Sequence, residues 1–82
     1  MLPGVGSQEA LHDDRYRAFV ERLRKARTAS GWSQEEVATR LGRSQRYVSY
    51  CETGERRVDA VEFMEFCNVY GLEPSWFISK SE

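Results

Sequence analysis

Four side chains with hydrogen-bonding groups follow Ser44 at the spacing of one helix face: Gln45, Arg46, Ser49 and Tyr50. Residues three and four apart share a face of a helix, so these four would project together. Glutamine can bond bidentately to adenine and arginine to the O6 and N7 atoms of guanine, and serine and tyrosine can bond base edges or phosphates. The pattern therefore indicates a face that could contact nucleic acid. A helix with an ordinary solvated polar face is the alternative that these four residues leave open.

The stretch 34–52 that carries these residues divides into two short helical patterns on either side of Gly42. Apolar residues recur at helical spacing in both patterns. They are Val37, Ala38 and Leu41 before the glycine and Val48 and Cys51 after it. Glycine takes a positive φ at little steric cost, so Gly42 predicts a sharp turn. Helix, tight turn and helix together predict a helix-turn-helix, although a plain helical hairpin would use the same apolar and small residues.

Capping residues mark the ends of the two patterns. Ser33 followed three residues later by Glu36 is typical of a capping box at the start of the first helix. Ser44 stands where it can cap the second helix, and Gly54 where it can end it. The sequence therefore divides this stretch into two helices with a short turn between them.

The run from Gly31 to Gly54 resembles the phage-repressor, or Xre-like, helix-turn-helix family. The residues that agree with the family in type and spacing are Ser33, Gln34, Ala38, Gly42, Ser44, Gln45, Val48, Glu52 and Gly54. In weaker form the similarity extends over residues 16–78. Cys51 departs from the family, which usually has leucine or isoleucine there. The resemblance implies an all-α, compact five-helix domain that binds double-stranded DNA, with its helix-turn-helix at helices 2 and 3.

The resemblance also implies roles for individual residues. The base-reading residues would be Gln45, Arg46, Ser49 and Tyr50, on a third helix that enters the major groove. The phosphate-binding residues would be Ser33, Gln34, Arg43, Ser44, Tyr47, Arg56 and Arg57. Gln34 begins the second helix, where free N–H groups and the helix dipole attract a phosphate, and its side chain could contact that phosphate or brace Gln45. In such domains an arginine at the place of Arg27 pairs with the glutamate that ends the recognition helix, here Glu52.

Composition favours one small domain in the cytoplasm. The chain has 82 residues, no apolar run of membrane-spanning length and no secretory signal pattern. The net charge is −1, but arginines crowd the middle of the chain and acidic residues follow them. We therefore expect a basic face on an acidic body. Those arginines are Arg40, Arg43, Arg46, Arg56 and Arg57, and the acidic residues are Asp59, Glu62, Glu65, Glu73 and Glu82.

No residue pattern predicts catalysis, a cofactor, a metal site or a small-molecule ligand. His12 is the only histidine, and no nucleophile stands in a recognisable pattern with a base. Cys51 and Cys67 each fall on an inward helical face, which predicts two small buried hydrophobic residues. A disulfide or metal pair is the alternative, although the chain has no Cys-x-x-Cys spacing. We therefore expect a binding protein and not an enzyme.

From the caps, the turn glycines and the apolar periodicity, we expect a flexible N-terminal arm over 1–12, a DNA-binding domain over 13–79 and a frayed end over 80–82. Asp13 can cap a first helix that runs to about Ala29, and Asp59 can cap a fourth that Gly71 stops. A short fifth helix follows Pro74.

The function that the resemblance implies is sequence-specific transcriptional regulation, with repression preferred to activation. Short recognition helices usually act in two-fold dimers, so we expect a homodimer on a palindromic operator. The dimer interface would be Tyr70, Trp76, Phe77 and Ile78. Two alternatives remain open: a restriction-modification controller or antitoxin-type autoregulator of the same fold, and a protein-interaction module that has lost DNA binding.

Overall fold

The computed structural model describes residues 13–78, which form five α-helices and no strand. The helices are α1 (Asp14–Ser30), α2 (Gln34–Leu41), α3 (Gln45–Thr53), α4 (Ala60–Tyr70) and α5 (Pro74–Ile78). The predicted all-α, five-helix class is confirmed. The predicted arm over 1–12 and the predicted frayed end over 80–82 lie outside the described residues. Among the helices of residues 13–78, none has the length and apolar character that crossing a membrane requires.

Capping side chains begin the first four helices. Each accepts a hydrogen bond from a backbone N–H group in the first turn of its helix. They are Asp13, Ser33, Ser44 and Asp59. Glu36 and Glu62 complete capping boxes by accepting from the backbone N–H groups of Ser33 and Asp59. The predicted helix starts are therefore confirmed.

Gly42 forms the turn between α2 and α3. Its φ is 72°, in the left-handed region that residues with a Cβ rarely adopt. Its N–H donates to the carbonyl of Thr39 at 3.2 Å, and the N–H of Arg43 donates to that of Ala38 at 2.9 Å. These bonds satisfy carbonyls at the end of α2 that would otherwise have no partner. The predicted sharp turn is confirmed.

The core forms around α1, which contacts α3, α4 and α5. From α1 it includes Phe19, Val20, Leu23 and Ala26. The other helices add Val37, Ala38, Tyr47, Val48, Cys51, Phe66, Cys67 and Phe77. Cys51 and Cys67 are buried, as predicted, and burial raises the pKa of both thiols. The α2–α3 unit is therefore held against the domain by the inner faces of both helices.

Phe77 lies in the core, so its predicted place at a dimer interface is wrong. Its side chain is 1% exposed, and its ring meets that of Phe63 edge-on at 5.5 Å between centroids. In a five-residue helix, one large apolar side chain must anchor the helix to the domain, and Phe77 does so. Tyr70 is half-buried and stacks against Trp32 and Phe66, so most of its ring is also used inside the domain.

Candidate nucleic-acid interface

The third helix, α3, packs one face against the core and turns the other towards solvent. Val48 and Cys51 on the inner face are fully buried. The outer face brings together the four predicted base-reading residues: Gln45, Arg46, Ser49 and Tyr50. Three of them are exposed, and Ser49 is half-buried. Because the inner face fixes the rotation of the helix, the outer residues point in a defined direction.

Gln34, at the start of α2, braces Gln45. The Nε2 atom of Gln45 donates to Oε1 of Gln34 at 2.8 Å. Nε2 of Gln34 in turn donates to Oε1 of Glu52 at 3.0 Å. Of the two roles expected for the Gln34 side chain, the structure therefore contains the brace.

Glu52 connects this brace to α1. Its oxygens accept hydrogen bonds from Nε and Nη2 of Arg27, and Nη1 of Arg27 donates to the carbonyl of Trp32 at 3.0 Å. The two side chains are only 16% and 3% exposed, and the hydrogen bonds to Glu52 raise the pKa of Arg27. The predicted Arg27–Glu52 pair is confirmed. It joins the C-terminal part of α1 to the end of α3.

A second ionic group ties the loops on either side of α3 to α4. Nη1 of Arg56 donates to Oε1 of Glu62 at 2.9 Å, and Nη1 of Arg43 lies 3.5 Å from Oε2 of the same carboxylate. Nη2 of Arg43 also donates to Glu65 at 3.1 Å. The expected separation of a basic face from an acidic body therefore needs correction, because two of the central arginines pair with acidic residues of α4.

Glu62 holds its charge in a nearly buried position. Burial alone would raise its pKa, but the backbone N–H of Asp59 and the guanidinium groups of Arg56 and Arg43 together lower it below its ordinary value. The sequence indicated only the capping role of Glu62. Its two arginine partners come from separate loops, and no spacing along the chain links them to it.

Tyr47 is not available to a phosphate, so its predicted phosphate-binding role is wrong. Its side chain is 9% exposed, and its hydroxyl is buried without a hydrogen-bond partner among residues 13–78. The ring stacks on Phe66, and the guanidinium groups of Arg43 and Arg56 lie 4.5 and 4.9 Å from its centroid. Burial raises the pKa of this hydroxyl. Position 47 follows the outer residues 45 and 46 directly, but the turn of the helix carries it inward.

The remaining predicted phosphate-binding residues are at the surface. Ser33 and Ser44 are exposed, and each hydroxyl oxygen accepts from a backbone N–H at 3.1 Å, which leaves the hydroxyl hydrogen free to donate. Arg57 is exposed and lies 4.8 Å from the ring centroid of Tyr16. Within residues 13–78, Arg46 forms no ion pair. Arg46 and Arg57 therefore keep their charge available in a way that Arg43 and Arg56 do not.

Comparison with known proteins agrees with this geometry. A family model described as a helix-turn-helix domain matches residues 18–75. The fold is similar to a solved structure, an XRE-family like protein from Pseudomonas syringae pv. tomato str. DC3000. The TM-score is 0.76 at 43% sequence identity, and the match covers 92% of each chain. Among curated proteins, no match was found.

The family match covers most of the chain and includes all of the helix-turn-helix and both residues of the Arg27–Glu52 pair. The 43% identity over nearly the full length of both chains extends the likeness from the fold to the sequence itself. The chain is therefore a member of the Cro/Xre-like helix-turn-helix family, a DNA-binding transcription regulator.

Proposed function

We propose that the protein is a sequence-specific regulator that reads the major groove of duplex DNA with α3. The observation that carries the proposal is the outer face of that helix. Gln45, Arg46 and Tyr50 are exposed there, and Ser49 lies among them. The major groove admits an α-helix and presents a distinct pattern of donors and acceptors for each base pair. In this arrangement Gln45 would bond adenine and Arg46 guanine.

The starts of α2 and α3 and the loop after α3 would hold the DNA backbone. Ser33 and Ser44 each have a free hydroxyl donor beside the first turn of a helix, where backbone N–H groups and the helix dipole favour an anion. Gln34 is half-buried and its side chain is bonded to both Glu52 and Gln45, so its main role would be to brace Gln45. Arg57 would supply the clearest charged contact to phosphate, because Arg57 is exposed and pairs with no carboxylate within residues 13–78.

Arg43 and Arg56 would contribute to phosphate binding more weakly. Both guanidinium groups already bind Glu62, and Arg43 also binds Glu65. Their side chains remain 32% and 44% exposed, so part of each guanidinium can still face the DNA. A phosphate contact would compete with the carboxylates for those donors. This competition predicts a smaller effect of salt on binding than a count of arginines would give.

Regulation would be repression by a homodimer. A helix that occupies the major groove excludes other proteins from the same DNA without any chemical step. The nine residues of α3 can reach only a few base pairs, and two half-sites about 34 Å apart would double the sequence that is read. Ile78 is 64% exposed at the end of α5, and Trp76 is half-buried beside it. These two residues are the apolar surface that remains of the predicted interface.

Selection of binding sites from random duplexes tests the proposal. We expect enrichment of one motif with two-fold symmetry, and we expect Gln45→Ala and Arg46→Ala each to change it at a single position per half-site. Failure of the folded protein to enrich any sequence would contradict sequence-specific binding and favour a protein-interaction role. With the selected site placed upstream of a reporter gene, lower expression in the presence of the protein supports repression, and higher expression contradicts it.

A further inference from the structure

We propose that Glu52 is a positioning residue for base recognition, because its charge fixes which end of the Gln45 amide faces in each direction. Glu52 itself would touch no base. The inference rests on the proposed function, since it assigns part of the base preference of Gln45 to a buried residue of the same helix.

The first step is the polarity of the Gln34 amide. A glutamate carboxylate paired with a guanidinium can only accept hydrogen bonds, and both oxygens of Glu52 accept from Arg27. Glu52 is 2% exposed, so it is shielded from bulk water. If the Gln34 amide were reversed, its oxygen would face a carboxylate oxygen with no proton between them, which is costly in a buried site. The NH2 group of Gln34 must therefore face Glu52, as the 3.0 Å bond requires.

The second step is the orientation of the Gln45 amide, which lies at the surface. With its NH2 group on Glu52, Gln34 turns its oxygen towards Gln45. That oxygen accepts from Nε2 of Gln45 at 2.8 Å. The NH2 end of the Gln45 amide thus lies towards α2, and its oxygen lies on the other side. Neither amide can reverse without losing one of the two hydrogen bonds.

The third step is the pattern that Gln45 presents to a base pair. The second hydrogen on Nε2 and the free Oε1 form a donor and an acceptor in a fixed order. Adenine offers the matching order in the major groove, with N7 as acceptor beside N6–H as donor. A reversed amide at the same place would set its oxygen against N7 and its NH2 group against N6–H, and guanine, with acceptors at both N7 and O6, would match only the donor of Gln45. With Glu52 in place, one order is favoured and the other is rejected.

Binding-site selection and competition with single-base variants of the selected site test the inference. Gln34→Leu removes the connection, and Glu52→Gln replaces the carboxylate with a group that can either donate or accept. We expect each substitution to lower the preference for adenine at one base pair per half-site by roughly five- to tenfold. Preferences at the other positions should stay unchanged. The double variant should lose no more of the adenine preference than either single variant, because both substitutions break the same chain of hydrogen bonds from Glu52 through Gln34 to Gln45.

Arg27→Lys is the matched control, since it weakens the buried pair but keeps the positive charge and the Glu52 carboxylate. It should lower the unfolding midpoint and preserve the preference for adenine. Gln34→Leu leaves the Arg27–Glu52 pair intact, so it provides a folded test if Glu52→Gln destabilises the domain too far. Equal relaxation in Arg27→Lys and Glu52→Gln, or a uniform loss of affinity on all sequences, would overturn the positioning role.

Gln45→Ala separates base reading by Gln45 from the orientation of its amide by Glu52. If Gln45→Ala removes the preference at one base pair while Gln34→Leu and Glu52→Gln preserve it, base reading stands and the role of Glu52 fails. If Gln45→Ala leaves the selected motif unaltered, Gln45 reads no base and both fail. Loss of the same preference in all three variants supports the positioning of Gln45 by Glu52 through Gln34.

Discussion

Arg27 and Glu52 bind through two hydrogen bonds, from Nε to Oε2 at 2.8 Å and from Nη2 to Oε1 at 3.1 Å. Because both side chains are largely buried, removal of one partner leaves the other without compensation. We expect Glu52→Ala to lower the free energy of unfolding by about 1–3 kcal/mol, measured by urea denaturation. Arg15→Ala is the control, because Arg15 pairs with Asp13 at 2.7 Å but is 89% exposed. The control should shift the midpoint far less. Equal midpoints for Glu52→Ala and the wild type would show that the pair does not stabilise the fold.

Arg46 and Arg57 should respond differently to replacement by alanine. Both are exposed, but Arg46 lies on the outer face of α3 and Arg57 in the loop after it. We expect Arg46→Ala to cost roughly 1–3 kcal/mol on the best site and to relax the preference at one base pair. Arg57→Ala should weaken binding to all duplexes alike and reduce the slope of log affinity against log salt by about 1. Fluorescence anisotropy at several salt concentrations measures both effects. An unaltered base preference in Arg46→Ala would reassign Arg46 to phosphate binding.

Glu62 should make the stability of the domain sensitive to acid. Its pKa is lowered in the folded protein, so it contributes stability above the ordinary glutamate pKa of about 4.3. That contribution is lost as the pH falls through the lowered value of the folded state. Glu62→Gln should therefore be less stable at pH 7 and should lose less stability on acidification. Urea midpoints between pH 7 and 2 measure the difference.

Glu65→Gln is the matched control for that experiment. Glu65 also pairs with Arg43, but its side chain is 41% exposed, whereas that of Glu62 is 8% exposed. We expect Glu65→Gln to keep the acid sensitivity of the wild type. The same sensitivity in Glu62→Gln would contradict the assignment to Glu62.

Ile78 should matter for dimer formation on DNA and not for folding. Ile78→Glu places a charge on the exposed end of α5, where the proposed interface lies. Val61→Glu is the control, because Val61 is also 64% exposed but lies at the start of α4. We expect both variants to fold, and only Ile78→Glu to favour a one-to-one complex on the selected palindrome, as measured by analytical ultracentrifugation. Two protomers per palindrome for Ile78→Glu would place the interface elsewhere.

Local signals in the sequence were enough to predict the helices. Capping side chains such as Ser33 and turn glycines such as Gly42 act within a few residues, so spacing alone identifies them. The Arg27–Glu52 pair, 25 residues apart, was predicted only through the resemblance to a known family. Without that resemblance, no periodicity indicates which arginine of α1 turns inward.

Side chains near the boundary of a helix face were harder to predict. Tyr47 and Phe77 combine a large ring with positions next to exposed residues, and both were placed at the surface when they belong to the core. Their burial depends on which neighbouring helix fills the space beside them. The ion pairs of Glu62 were not predicted for the same reason, since its partners Arg43 and Arg56 reach it from separate loops. Such contacts are tertiary and have no period along the chain.

The alternation of outer and inner pairs along α3 has a consequence for re-targeting the domain to new DNA sequences. Residues 45 and 46 face out, 47 and 48 face in, 49 and 50 lie on the outer side, and 51 and 52 are buried. A combinatorial library at Arg46 and Tyr50, which are both exposed, would leave the buried residues of the helix unchanged. Gln45 is not independent in this way, because its amide is bonded to Gln34. Under the proposed function, evolution or design that changes the base read by residue 45 must therefore choose residues 34 and 45 together.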